Sequence, residues 1–136
     1  MTETEKSYIA GIIDGEGSIM LQKFHSNQYP SPCVSFASTS IELMNWAKKT
    51  IGSGIIISKK NYNPHLHKDC YSYVLKYNAA ISLLEDITPY LIIDSKIKRA
   101  NLILEKYKEL TPRNGRYTNE LIEKKILFYN EFLSVK

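Results

Sequence analysis

Residues 9 to 17, Ile-Ala-Gly-Ile-Ile-Asp-Gly-Glu-Gly, constrain this chain more than any other stretch, because they break local rules of helix chemistry in quick succession. Ser7 to Asp14 reads as a short helix, apolar at Tyr8, Ile9, Ile12 and Ile13, capped by Thr4 or Ser7 and stopped by Gly15 and Gly17. Gly11 in its interior costs about 1 kcal/mol relative to alanine. Ala10, Gly11 and Gly15 leave one side nearly bare, so something must approach that side closely. Gly11 and Gly15 also have the four-residue spacing that lets two helix backbones touch. Asp14 and Glu16 then put negative charge at the helix C-terminus, where the macrodipole prefers cations by about 0.3 to 1 kcal/mol. A bound divalent cation would reverse that penalty, and carboxylate oxygen is the ligand that Mg2+ prefers.

Extended structure can begin directly after these glycines. Ser18 to Ser26 and Cys33 to Ser38 read as two strands around a turn containing Asn27, Pro30 and Pro32. Thr39 and Glu42 form a T-x-x-E capping pattern that opens a helix through Leu43, Trp46, Ala47 and Ile51, ending at Gly52. Ile55 to Lys59 and Tyr71 to Tyr77 make a second strand pair, joined by a basic loop. Asn78 caps a helix to about Ile87, which Pro89 breaks. Asp94 or Ser95 caps another to about Leu110, and Thr118 opens the last. The order α, ββ, α, ββ, α, α, α predicts an α+β fold built on antiparallel hairpins, in a single domain spanning 1–136.

Composition excludes several alternatives. With 43% hydrophobic and 24% charged residues, the 136-residue chain is neither disordered nor collagen-like. No apolar run reaches the roughly 20 residues of a membrane-spanning helix. Met1 to Asp14 has acidic residues where a targeting peptide would carry Lys or Arg, so the mature protein is expected to begin here. The net charge of +4 permits a nucleic-acid partner without requiring one. Cys33 and Cys70 make no disulfide framework; with His65 and His67 they could hold zinc, but paired C-x-x-C spacing is missing.

The nonapeptide of residues 9–17 resembles the motif of the LAGLIDADG homing endonucleases, matching five of nine letters at Ala10, Gly11, Ile13, Asp14 and Gly17. Ile9, Ile12, Gly15 and Glu16 are mild replacements, and the element order of residues 5 to 110 is that of single-motif members. The resemblance implies an αββαββα fold with a curved four-stranded sheet for the major groove. It also implies site-specific cleavage of a long, nearly palindromic double-stranded DNA target. One motif per chain implies a homodimer joined through Ala10, Gly11, Asp14 and Gly15. The same fold also serves intron-RNA maturases and DNA-binding proteins that have lost cleavage, which is the alternative reading; organelle, bacterium and phage all remain open as the host compartment.

Position by position, the resemblance assigns metal binding to Glu16 with the Gly15 carbonyl, and structure to Asp14. The metal is Mg2+, with Mn2+ or Ca2+ able to substitute in binding. Lys96 matches the family's basic catalytic residue, with Lys98 second, and Thr39 and Ser40 match the region of a water-positioning residue. Alternation along the strands then selects a DNA-reading face of Met20, Gln22, Phe24 and Ser26, of Cys33, Ser35 and Ala37, and of Ser72, Val74 and Lys76. Lys59 and Lys60 lead into the basic loop, whose His65, His67 and Cys70 suit a DNA-contacting tip better than zinc. Lys59, Lys60, Lys68, Arg113 and Arg116 are candidates for phosphate contact.

Overall fold

A computed structural model describes all residues, 1–136. Helix α1 (Glu3–Glu16) leads into β1 (Gly17–Gln22) and β2 (Ser31–Ser38); α2 (Ile41–Ile51) leads into β3 (Ile55–Lys59) and β4 (Cys70–Lys76). Helices α3 (Tyr77–Ile87), α4 (Asp94–Leu102) and α5 (Asn119–Ser134) complete the chain, with a 3-10 turn at Thr88–Tyr90 and a π turn at Ile103–Tyr107. The four strands pair antiparallel in the order β1-β2-β4-β3. The expected α+β fold and its element order are therefore present.

The boundaries show which local signals the fold uses. Helix α1 begins four residues before Ser7, because Thr2 and Glu5 form a reciprocal capping box. The Thr2 hydroxyl accepts from the Glu5 N–H at 3.1 Å, and the Glu5 carboxylate accepts from the Thr2 N–H at 2.8 Å. The pattern at Thr39 and Glu42 forms no such box: Ser40 is the N-cap of α2, and no side-chain cap bond is made. Strand β1 ends at Gln22, so Phe24 and Ser26 lie in the following loop and not on the strand. Asn78 does not cap α3; Lys76 stands at that position, and Tyr77 turns the chain from strand to helix at φ 55°. Ile93, not Asp94 or Ser95, precedes α4.

All helices cover one face of the sheet. Ile19 and Leu21 of β1, Val34 and Phe36 of β2, and Tyr73 and Leu75 of β4 pack against Ile9, Ala10 and Ile13 of α1 and the apolar sides of the other helices in one core. The α1–β1 junction is tight. A Cβ on Gly17 would lie 2.7 Å from Ile13 Cα, so glycine is needed there for space. At Gly54 conformation and space act together: φ is 97°, and a Cβ would lie 2.7 Å from the buried Tyr73 ring.

Candidate functional site

The strand register sorts side chains to the two faces of the sheet. Met20 lies opposite Cys33, Ser18 opposite Ser35, and Gln22 opposite Ser31. Cys33 is opposite Lys76, Ser35 opposite Val74, and Ala37 opposite Ser72. Directly paired residues share a face, so Met20, Gln22, Cys33, Ser35, Ala37, Ser72, Val74 and Lys76 lie together on the face away from the helices. Lys59 belongs to it through its pairing with Cys70, and Lys60 follows just past the strand end. Cys33 is nevertheless only 1% exposed, so its neighbours cover it and it cannot touch a ligand on this face. Burial also raises its thiol pKa.

Two isoleucines join this face that alternation in the other strands does not find. Ile55 and Ile57 are 48% and 44% exposed and lie opposite Val74 and Ser72. Their run of three consecutive isoleucines in β3 reads as a buried strand, which hides the alternation. Phe24 lies beyond β1 but packs against Tyr77, with ring centroids 5.4 Å apart and planes tilted by 58°, and the Lys76 ammonium is 4.4 Å from its ring centroid.

At one end of this face α1 runs out. Asp14 accepts from the backbone N–H groups of Ile92 at 2.9 Å and Ile93 at 3.2 Å, the structural role expected of it. Lys96 donates to the carbonyls of Ile13 and Asp14. A cation thus meets the negative end of the helix dipole, in a helix whose own last turn has no basic residue. Glu16 follows, exposed, and its carboxylate makes no hydrogen bond or ion pair within the chain. Gly15 is also exposed. A free carboxylate beside a backbone carbonyl fits a hard divalent cation, which takes one or two carboxylates and fills its remaining positions with water or phosphate oxygen. No group of three or more His, Cys, Asp or Glu side chains stands ready to hold a metal, which leaves His65, His67, Cys70 and Cys33 without a zinc site.

The bare side of α1 is real but narrower than its composition suggests. Gly11 and Gly15 are exposed, and a Cβ at either would meet nothing within 4 Å. Ala10 is 0% exposed and faces the chain's own core, so it cannot belong to an external interface. The α1 periodicity instead brings Tyr8, 57% exposed, onto the glycine side. Thr39 is exposed at the end of β2. Ser40 lines a groove with Tyr8 and Trp46.

No protein-family model matches the sequence, and no curated protein sequence matches it. Solved structures do. I-CvuI, described as a homing endonuclease in complex with its target in the presence of Ca, superimposes with TM-score 0.72 and 16% identity over 98% of this chain and 83% of that one. The archaeal intron-encoded homing endonuclease I-Vdi141I, complexed with DNA, gives 0.65 and 18% over 98% and 85%. I-GzeII, a LAGLIDADG homing endonuclease in complex with a DNA target, gives 0.66 and 14% over 96% of this chain and 49% of that one.

The chain has the homing-endonuclease fold. Within that fold, several residues that tie distant segments together carry no motif. Lys125 of α5 is 5% exposed, and burial lowers its pKa to about 8. The Arg99 guanidinium reaches the Val135 carbonyl at 3.0 Å, which ties the end of α5 to α4. The Tyr73 hydroxyl donates to the Ser53 carbonyl, and burial pushes its pKa up to about 12. Helical periodicity could have flagged Lys125 as a cation on the apolar side of α5 with Leu121, Phe128 and Phe132. Nothing local marks the other two.

Proposed function

We propose that the protein is a site-specific endonuclease for double-stranded DNA that works as a homodimer with a divalent metal, Mg2+ in the first instance. The observation that carries this is the unpartnered Glu16 carboxylate at the end of a glycine-faced helix, next to an open, mixed polar and basic sheet face, in the homing-endonuclease fold. The open face supplies the reading surface. Gln22, Ser35 and Ser72 offer hydrogen-bonding groups to base edges, Ile55, Ile57 and Val74 offer apolar contact to thymine methyls, and Lys59 and Lys76 offer charge to phosphates.

A metal held by Glu16 and the Gly15 carbonyl would supply an activated water and neutralise phosphate oxygens. The chain's own residues hold that end in place. Asp14 fastens the last turn of α1 to the Ile92–Ile93 backbone, and Lys96 draws the last carbonyls inward. With two of its three N–H groups engaged, Lys96 keeps one for charge screening at the site. Its part is positioning as much as chemistry. Gly11 and Gly15 leave room for the same helix of a second copy, which would bring two Glu16 carboxylates together. The match to only 49% of I-GzeII supports a working molecule made of two such units.

The deciding experiment incubates purified protein and Mg2+ with a plasmid library carrying randomised, nearly palindromic inserts. The expected outcome is enrichment of linearised plasmid around one target class by the wild type and none by Glu16→Gln. Equal cutting by both would remove Glu16 from the mechanism. Absence of cutting with retained duplex binding would leave a DNA-binding protein of the same fold.

A further inference from the structure

The far end of the open face carries a second cationic feature that the cleavage site does not use. Between the β1–β2 loop and the segment from Tyr107 to Tyr117 lies a cleft of about 460 Å3, with Gln28, Tyr77, Tyr107, Arg113, Tyr117 and Lys125 among its walls. Lys125 forms part of its floor. The ammonium donates to the Thr111 hydroxyl at 2.7 Å, the Tyr117 hydroxyl at 2.9 Å and the Leu110 carbonyl at 3.5 Å. The rings of Tyr29, Tyr107 and Tyr117 surround it at 4.9 to 5.4 Å.

Every partner of that charge is neutral. Buried ammonium groups ordinarily face a carboxylate, since desolvation is otherwise uncompensated. No Asp or Glu lines this cleft, and its second cation, Arg113, is exposed and makes no hydrogen bond or ion pair. The four ion pairs of the chain all lie elsewhere. Tyr77, the only non-glycine residue with positive φ, stands in the cleft wall with its hydroxyl on Gln28 at 3.5 Å. Strained backbone of this kind persists where surrounding structure holds it, and it gathers at ligand sites. Lys76, the preceding residue, lies on the open face, so cleft and face are continuous.

We propose that this cleft seats a backbone phosphate of the bound duplex, at the end of the reading face remote from Glu16, with Arg113 as the contacting cation and Lys125 as the fixed charge beneath it. The site rests on the DNA reading above. Its place follows from β1, whose six residues carry the chain about 17 Å from the Glu16 end to the β1–β2 loop. A phosphate there would lie towards the outer end of a half-site. The neutral cage would hold Lys125 as a source of field, and the anion would supply the missing counter-charge.

Fluorescence anisotropy with a labelled 30-base-pair mixed-sequence duplex, titrated with KCl, tests this on the full-length protein. Arg113→Gln is expected to weaken binding and to lower the slope of log affinity against log salt by about 0.9, the value for one phosphate contact. Lys125→Met, which keeps the apolar stem, is expected to weaken binding in the same direction. Lys49→Gln, which removes an equal charge from the last turn of α2 in the helix layer, is expected to keep the wild-type slope. If both cleft variants bind with wild-type affinity and slope while Lys76→Gln binds more weakly, the phosphate seat is wrong and the DNA reading stands. If the wild type shows no salt-dependent binding, the DNA reading fails and the seat with it. Arg113 is exposed, so its result stands even if Lys125→Met does not fold.

Discussion

Single residues carry much of the logic here, and Lys96 and Asp14 show how. Each joins the end of α1 to the start of α4, and each satisfies backbone groups that a helix end or a loop would otherwise leave open. Asp14→Ala removes the acceptor of the Ile92 and Ile93 N–H groups, which are exposed and can turn to water, and is expected to lower stability by about 0.5 to 1.5 kcal/mol, measured by urea denaturation. Asp14→Asn should recover part of that loss, since the amide oxygen still accepts. Lys125 makes a prediction of opposite sign to the usual lysine. Its pKa is lowered to about 8 by burial, so between that value and the ordinary 10.5 the unfolded chain binds more protons than the folded one. Stability should therefore rise with pH above about 8, by at most about 1.4 kcal/mol per pH unit. The rise is to be read between pH 7.5 and 9, because Cys33, Tyr73 and Tyr117, all raised by burial, act the other way once their unfolded forms ionise. Lys125→Met should abolish the rise.

At the scale of elements, the same tetrapeptide pattern has two outcomes. Thr2-x-x-Glu5 forms a capping box and lengthens α1, whereas Thr39-x-x-Glu42 does not. Strand β2 keeps the ladder to Ser38, and the Ser40 N–H goes to the Ser38 hydroxyl at 3.1 Å, so the cap moves one residue along. Local patterning nominates a cap, and the neighbouring strand decides whether it is used. The helix-to-strand junction gives the element-level test. Gly17→Ala puts a methyl against Ile13 Cα and its side chain, and overpacking of that kind typically costs about 1 to 3 kcal/mol. A wild-type melting temperature for Gly17→Ala would show that the junction relaxes.

For the whole molecule, the exposed glycines of α1 separate folding from assembly. A side chain at Gly11 meets nothing within the chain, and replacing an interior helix glycine gains up to about 1 kcal/mol of propensity. Gly11→Leu is therefore expected to give a folded chain with unchanged circular dichroism that no longer dimerises in light scattering and no longer cuts DNA. A normal dimer from this variant would place the partner surface elsewhere. Ala10→Leu should behave differently, unfolding the chain itself, because Ala10 sits in the core.

Element order, fold class and the alternating face of three strands are legible in the chain's own pattern, because period-two and helical patterns are written by whichever side meets the core. It also placed Glu16 and the glycines of α1, through the penalty they carry locally. Three-dimensional packing was needed to show that Ala10 turns inward, that Cys33 is covered, that Ile55 and Ile57 face outward, and that Phe24 and Ser26 leave the strand. These depend on which neighbour stands across a sheet or helix, and a residue's own segment does not record that. The cage around Lys125 is the fullest case: it joins Tyr29 of the β1–β2 loop to Tyr107, Thr111 and Tyr117 of the segment before α5, and only folding brings the two to one charge.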